Sequence, residues 1–250
     1  MKRHCYSSLS NFYDNVKNVV GTKAFHIYEA NDDPKWMGLS LSDIHKFKFS
    51  YPLGVERLSH FKDFEIQKDI NVKFYNQFDG YDIDIDRMMD NLDFLLDTRK
   101  KRLLPKAVDI YIQIGEPSLV GYSEMLCKTY AAIKIIDKLE THNVRCAVYA
   151  CNSFRTICKN RKNEQDGYLE VCIKNHADTI NLGAICTAIS PWVFRHFFLL
   201  HLIGHFPDVD IHNGCSYTYP MPSDLSGIII RAGQCHEIES ANKFIETIKL

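Results

Sequence analysis

Two histidines four residues apart form the sharpest chemical pattern in this sequence. His201 and His205 are separated by Leu202-Ile203-Gly204. Residues at positions i and i+4 of a helix lie on one face, where two imidazoles can bind the same metal ion. A zinc metalloprotease motif carries glutamate directly after the first histidine, and Leu202 excludes that class. The favoured interpretation is a pair of ordinary histidines, neutral or hydrogen-bonded, on an amphipathic helix. The alternative is a structural or fortuitous metal site at His201 and His205.

A basic run without any acidic residue indicates a second kind of site. Four cationic side chains fall within eight residues, and aromatic residues flank the run. The cationic residues are Arg155, Lys159, Arg161 and Lys162. Because cations attract phosphates and aromatic rings stack on bases, the loop 155–162 predicts a site for single-stranded nucleic acid. The alternative is a solvated loop.

Two further patterns lack residues that their chemistry needs. The segment Asp82-Ile83-Asp84-Ile85-Asp86 begins like a calcium loop, but Arg87 and Asp93 occupy the positions that require glycine and glutamate. Cys235-His236-Glu237 places a thiol, an imidazole and a carboxylate side by side, whereas the members of a catalytic triad meet in space rather than in sequence. Neither calcium binding nor thiol catalysis is predicted.

The elements that must position these residues alternate between strand and helix after Pro105. Residues 108–114 and 144–150 are rich in β-branched and apolar side chains, which predicts two strands. Helical spacing of apolar residues from Met125 to Leu139 predicts a helix between them. Strand, crossover helix and strand make a βαβ unit, in which the strands run parallel. Further strands are predicted at 168–174 and within 224–231, and further helices at 180–188, from Ser190-Pro191 onward, and at 238–248.

The N-terminal third has a different pattern, with helical spacing over residues 9–20 and a capped helix over 40–49. The predicted fold class is therefore α/β, a Rossmann-like core with a mostly parallel sheet and a small helical N-terminal part. The predicted division is a helical and irregular part at 1–104 and the α/β core at 105–250. The residues expected to be buried together are Ile110, Ile112, Ile114, Ile133, Ile136, Leu139, Val148 and Ala150.

Composition excludes several classes of protein. Of 250 residues, 46% are hydrophobic, and 30 Lys+Arg against 31 Asp+Glu give a net charge of -1. A chain this balanced is not a general polyanion binder, so a nucleic-acid site must be a local patch. The nine cysteines include no Cys-x-x-Cys pair, and the start of the chain has no signal-peptide core. The cysteines are odd in number and several lie in apolar runs, which predicts free thiols in a reducing, intracellular compartment. The lack of a long apolar run predicts that the chain has no membrane span.

Several segments, in this order, carry a resemblance to known proteins. They are Trp36-Met37-Gly38-Leu39-Ser40, Val108-Asp109-Ile110-Tyr111-Ile112, Tyr130-Ala131-Ala132-Ile133-Lys134-Ile135-Ile136-Asp137-Lys138-Leu139-Glu140, Val144-Arg145-Cys146-Ala147-Val148 and Ser190-Pro191-Trp192-Val193-Phe194-Arg195-His196. The core resembles a von Willebrand factor A-like domain, and the chain as a whole resembles an uncharacterised family of tailed-bacteriophage proteins. The resemblance implies a viral protein of the host cell cytoplasm or the virion.

The chain departs from the von Willebrand A pattern where that fold binds Mg²⁺. The metal-binding pattern Asp-x-Ser-x-Ser would follow the first strand, but this loop offers only Glu116 and Ser118 as side-chain ligands. The resemblance therefore implies a degenerate metal site, and we expect no Mg²⁺ there.

These features favour a non-enzymatic module that binds a protein or acts in assembly. The resemblance implies that its partner is another phage or host protein, such as an ATPase or a particle component. The alternative function is a nucleic-acid-binding factor that uses the loop 155–162. A metal-dependent hydrolase at His201 and His205 is the third. No cofactor is predicted.

Overall fold

The fold is described by a computed structural model. It covers residues 1–19, 34–61, 64, 74–76, 82–83, 85–89, 95–97, 106–117, 119–158, 160–206, 208–210 and 216–249. Contacts divide the chain into two compact units. The larger unit is Met1–Glu65 together with Ala107–Leu250, and the smaller is Ile66–Lys106. The predicted boundary between residues 104 and 105 lies outside the described residues.

The larger unit contains both strands and helices. Its strands are β1 (Lys2–Tyr6), β5 (Lys106–Gln113), β6 (Val144–Thr156), β7 (Asp166–Lys174), β8 (Ser216–Thr218) and β9 (Ile228–Ile230). Its α-helices are α1 (Leu9–Val19), α2 (Pro34–Met37), α3 (Leu41–Phe47), α4 (Pro52–Ser59), α6 (Tyr122–Thr141), α7 (Leu182–Ala188), α8 (Leu199–His205) and α9 (Ile238–Thr247). The predicted strands and helices of the core thus correspond to β5, α6, β6, β7, α7, β9 and α9.

The smaller unit holds short elements. Its strands are β2 (Phe74–Asn76), β3 (Asp82–Ile83) and β4 (Leu95–Asp97), and its helix is α5 (Ile85–Met89). The strands form an antiparallel sheet in which β4 lies between β2 and β3. The segment that resembles a calcium loop therefore falls on β3 and the start of α5.

One sheet organises the larger unit, in the order β1-β7-β6-β5-β9, and β8 pairs with β6 outside this path. This path is mostly parallel, which agrees with the predicted α/β class. β1 and β7 pair in parallel, and so do β5 and β9. The Rossmann-like interpretation is consistent with this arrangement of strands and covering helices.

The core lies between this sheet and α6. All eight residues expected to be buried together are buried, with exposed fractions between 0% and 3%. Ile110 and Ile112 alternate with Tyr111 along β5, so Tyr111 points to the opposite face of the sheet. There it packs with Cys151 and Tyr168 in a second, smaller cluster. Side chains on both faces of the middle of β5 and β6 are buried, which agrees with the apolar sequences Ile110-Tyr111-Ile112 and Cys146-Ala147-Val148.

β6 and β7 pair antiparallel, so the sheet is not purely parallel. Ala150 lies opposite Val171, and Phe154 lies opposite Gly167. Residues 157–165 connect the two strands, and this connection is too short for the crossover that a parallel pair requires. The predicted second strand, 144–150, is also longer in the structure and continues to Thr156, because Cys151 to Phe154 stay buried beside β7.

The first residues of the chain join the same sheet, where the sequence predicted a helical and irregular part. β1 pairs in parallel with β7, with His4 opposite Leu169 and Tyr6 opposite Val171. Its sequence, Lys-Arg-His-Cys-Tyr, has none of the aliphatic residues that marked the other strands. Its position at the edge of the sheet allows this polar composition.

The helical segment before the histidines contains a π-helical turn at Val193–Phe198, which leads directly into α8. α8 packs against α1, and α1 also contacts β1 and β7. Among the described residues no single helix has the length and apolarity to cross a bilayer. Two consecutive helical segments, Leu182–Ala188 and Val193–His205, meet the criteria only when they are counted together. The angle between their axes is 52°.

Candidate metal centre

β1 and α8 bring three histidines together at one end of the larger unit. In β1, side chains two residues apart point the same way, so Lys2, His4 and Tyr6 share a face. In α8, His201 and His205 share a face, as the sequence predicted, and their ring centroids are 4.3 Å apart. The ring of His4 lies 4.8 Å from that of His201 and 4.4 Å from that of His205. We call these three residues the histidine cluster.

The cluster meets the basic geometric requirement of a metal site. Its three candidate ligand atoms all lie within 4.8 Å of one another. His201 is fully buried, whereas His4 and His205 are half-buried. The site therefore has one anchored ligand in the interior and two ligands at its solvent side.

A chain of hydrogen bonds fixes the ring nitrogens that bear protons. Tyr6 donates its hydroxyl proton to Asn15 Oδ1 over 2.6 Å, so its oxygen accepts from His201 Nε2 over 2.9 Å. His205 Nε2 donates to the same Asn15 oxygen over 3.1 Å. A neutral imidazole has one N–H and one lone pair. Both rings of α8 are therefore protonated on Nε2 and carry their lone pair on Nδ1.

Two buried ring nitrogens of the cluster lack a partner. His4 Nε2 and His201 Nδ1 have no hydrogen-bond partner among the described residues. Buried polar atoms are normally paired, and an orphan needs a reason such as an absent ion or water. The hydrogen-bond chain through Tyr6 leaves His201 Nδ1 as the acceptor, which is the form that binds a metal.

Burial and mutual proximity keep the three rings neutral. Burial, with repulsion from His205 and Lys2, lowers the pKa of His4 to about 4. Burial, with repulsion from the neighbouring rings and Lys2, lowers the pKa of His201 to about 2. The pKa of His205 is lowered by burial and by Lys2. Because histidine binds metals in its neutral form, protons do not compete for these nitrogens at neutral pH.

The third histidine was missed by sequence reasoning. His4 stands in a short polar segment, and nothing in the spacing of Lys2-Arg3-His4 points to α8. The two-residue alternation of His4 and Tyr6 is the signal that could have identified a strand face carrying both groups. Even that alternation does not show which helix packs against this face of the strand.

His196, the other histidine of this helical segment, belongs elsewhere. It is fully buried on the π-helical turn, and its ring lies 5.6 Å from that of His45. His196 therefore packs beside α3 and does not belong to the histidine cluster. His212 and Cys215, which are also close to this segment in sequence, lie outside the described residues.

The described residues of the basic loop lie on two different elements. Arg155 binds both carboxylate oxygens of Asp166, over 2.5 and 2.9 Å, and donates to the hydroxyl of Tyr219 over 2.9 Å. Arg161 and Lys162 are exposed on a 3₁₀ turn. Lys159 lies outside the described residues. The nucleic-acid function of the loop 155–162 stays a prediction. Because the guanidinium of Arg155 already has an anionic partner, it depends on Lys159, Arg161 and Lys162.

The loop after β5 holds a second buried polar group. Lys128 of α6 is fully buried and forms an ion pair with Glu116. Its Nζ also donates to the backbone oxygens of Gln113, over 3.0 Å, and Arg231, over 3.1 Å. Glu116 accepts a further bond of 3.0 Å from the Gly233 amide. We call Lys128, Glu116 and these backbone partners the lysine cluster.

Within the lysine cluster, Glu116 serves as the counter-ion of the buried Lys128. Its carboxylate points inward to Lys128, and His236 Nε2 lies 3.2 Å from Oε1. Ser118 lies outside the described residues. The expected absence of Mg²⁺ at this loop stays a prediction, but the engagement of Glu116 gives it a physical basis.

The comparison with known proteins covers nearly the whole chain. The model of a domain of unknown function, DUF7192, matches residues 2–250, a range that includes all three members of the histidine cluster. No curated protein and no solved structure matches the chain. The chain therefore belongs to the DUF7192 family.

Proposed function

We propose that this protein binds a divalent transition metal, zinc foremost, through His4 Nε2, His201 Nδ1 and His205 Nδ1. The observation that carries the proposal is the hydrogen-bond chain through Tyr6 and Asn15. It assigns a proton to Nε2 of each ring in α8 and leaves each Nδ1 as an acceptor. Metal-binding histidines in proteins have such partners on their other nitrogen, which orient the ring and fix its tautomer.

Small side-chain movements suffice to close the site on an ion. Zinc–nitrogen bonds of about 2.0–2.1 Å in a tetrahedral arrangement place ligand nitrogens about 3.4 Å apart. One ring nitrogen from each of the three histidines already lies within 4.8 Å of those from the other two. The half-buried ring of His4 can rotate towards the buried His201. Bound metal would then cross-link β1 to α8.

The donor set decides which metals fit. Three neutral imidazoles suit zinc, copper and nickel, whereas magnesium and calcium prefer oxygen ligands. Three protein ligands leave one position of a tetrahedral ion for water, which is the arrangement of catalytic rather than structural zinc sites. The metal-dependent hydrolase considered from the sequence therefore gains support over a purely structural ion.

Metal analysis and calorimetry test the proposal directly. We expect the purified chain to hold or take up one zinc ion per molecule. His4→Ala and His205→Ala should abolish tight binding, because two imidazoles alone form a weak site. His60→Ala, which removes an exposed histidine at the end of α4, is the matched control and should bind normally. The proposal fails if zinc binding is absent, or if it persists unchanged in both cluster variants with native circular dichroism.

Docking to another phage or host protein is the second candidate function. The resemblance to von Willebrand A-like domains supports it. The ion pair of Glu116 with Lys128 supports it too, because this carboxylate faces inward instead of towards a metal ion in the loop after β5. Such a module would bind its partner without Mg²⁺. Recovery of one stable partner in the presence of a chelator would support this function, and loss of the partner on chelation would contradict it.

A further inference from the structure

Lys2 lies beside the solvent side of the histidine cluster. It shares a face of β1 with His4 and is exposed. Its Nζ lies 5.0 Å from the centroid of the Phe206 ring, and that ring lies 6.2 Å from the ring of His4. Phe206 directly follows the ligand His205. The strand and the end of α8 thus hold an ammonium group next to the half-buried histidines.

A positive charge lies beside the cluster. The three candidate ligands are neutral imidazoles, and the Lys2 ammonium lies on the same face of β1 as His4. A divalent ion bound here would keep its full charge, with a further positive charge close by.

We propose that the open position of the metal takes a phosphate group, which the ammonium of Lys2 contacts from the solvent side. This inference rests on the proposed metal centre. A phosphate group carries nearly two negative charges at neutral pH and has several acceptor oxygens, so it can bridge two cations. Lysine is a common phosphate ligand because its ammonium is a compact charge with three donors. A carboxylate, with one negative charge, would neutralise less of the positive charge and bind more weakly.

The solvent side of the cluster decides how large the phosphate compound can be. His4 and His205 are half-buried and Lys2 is exposed, so the phosphate does not enter a closed cavity. A phosphate ester can therefore bind with its organic group directed to solvent. Free phosphate and a phosphate monoester share this chemistry, and the experiment separates them.

Cobalt-loaded protein allows the anion to be followed at the metal itself. Co²⁺ replaces zinc in such sites, and its visible absorption changes when a ligand replaces the bound water. We expect a saturable change on titration with inorganic phosphate and a much weaker response to acetate. A second titration with phenyl phosphate tests whether a phosphate ester binds. Equal or tighter binding of the ester would identify esters as the ligand class, and binding of inorganic phosphate alone would identify the free ion.

Lys2→Ala should weaken phosphate binding by roughly five- to tenfold without changing cobalt content, because one exposed cation beside the anion is lost. Lys243→Ala, which removes an exposed lysine of α9, should have no effect. An unchanged affinity in Lys2→Ala, an unchanged spectrum on phosphate addition, or equal affinity for acetate would overturn this inference and leave the metal centre intact. Failure to take up cobalt or zinc would overturn both.

Discussion

The histidine cluster and the lysine cluster are both polar groups buried in the same unit, but they differ in how their hydrogen bonds are satisfied. The three protons of the Lys128 ammonium meet Glu116 and two backbone oxygens. In the histidine cluster, by contrast, two buried nitrogens have no partner among the described residues. Each proton of the Lys128 ammonium thus has a partner, whereas the histidine cluster keeps two ring nitrogens without one.

This difference separates a structural role from a binding role. Lys128 links the loop after β5 to the loop after β9, so its bonds hold the carboxyl ends of two strands together. A buried charge of this kind is tolerated only with full compensation. Unpartnered ring nitrogens in the histidine cluster cost stability in the metal-free protein, and a bound metal ion would recover that cost.

The largest effect is expected from Lys128→Met. The substitution keeps the volume of the side chain but leaves the carboxylate of Glu116, which is 6% exposed, without its cation. Unfolding free energy should fall by about 3–5 kcal/mol, measured by urea denaturation. Lys128→Met combined with Glu116→Gln should recover part of the loss, because the buried charge is then removed. A loss below about 1 kcal/mol in the single variant would contradict the structural role of this cluster.

Zinc should stabilise the protein through the histidine cluster alone. A ligand at 100 times its dissociation constant raises the unfolding free energy by about 2.7 kcal/mol when only the folded state binds it. We expect this increase in the natural chain and its loss in His205→Ala, both measured by denaturation with and without zinc. If His205→Ala gains as much stability from zinc as the natural chain, the ion binds elsewhere.

Tyr6→Phe should weaken zinc binding while leaving all three ligands in place. It removes the hydroxyl that accepts from His201 and donates to Asn15, so the ring of His201 loses the partner that fixes its tautomer. Loss of such partners costs roughly 10- to 100-fold in metal affinity. Tyr13→Phe is the matched control, because that buried hydroxyl donates to the Lys48 oxygen outside the cluster. Equal affinities in the two variants would contradict the role assigned to Tyr6.

Acid should destabilise the metal-free protein through its buried neutral histidines. Burial lowers the pKa of His201 to about 2 and that of His196 to about 3, whereas both residues titrate near pH 6.5 when unfolded. Only the unfolded state therefore gains protons as the pH falls below about 6.5, so stability is full above this pH. Each group should cost at most about 1.4 kcal/mol per pH unit below it. Urea denaturation at pH 7.5, 6.5 and 5.5 measures the effect, and constant stability across this range would contradict neutral burial.

Local patterns in the sequence were sufficient for the central part of the fold. The β5–α6–β6 unit and its buried residues followed from periodicity, because alternation and helical spacing determine which side chains face a core. The pairing of His201 with His205 followed for the same reason, since four residues along a helix fix their relative position. The burial of Lys128 could not be predicted, because a single lysine among apolar residues of a helix looks like a solvent-exposed charge.

Contacts between distant segments were decided by the tertiary structure. His4 reaches α8 only because β1 pairs with β7, and Tyr6 and His201, which share a hydrogen bond, are 195 residues apart in sequence. The direction of β7 depended on the length of its connection to β6. The sequence alone determined two of the three candidate ligands, since helix geometry is local. The third ligand and the hydrogen-bond chain required the folded sheet, because strand pairing depends on packing across the whole unit rather than on neighbouring residues.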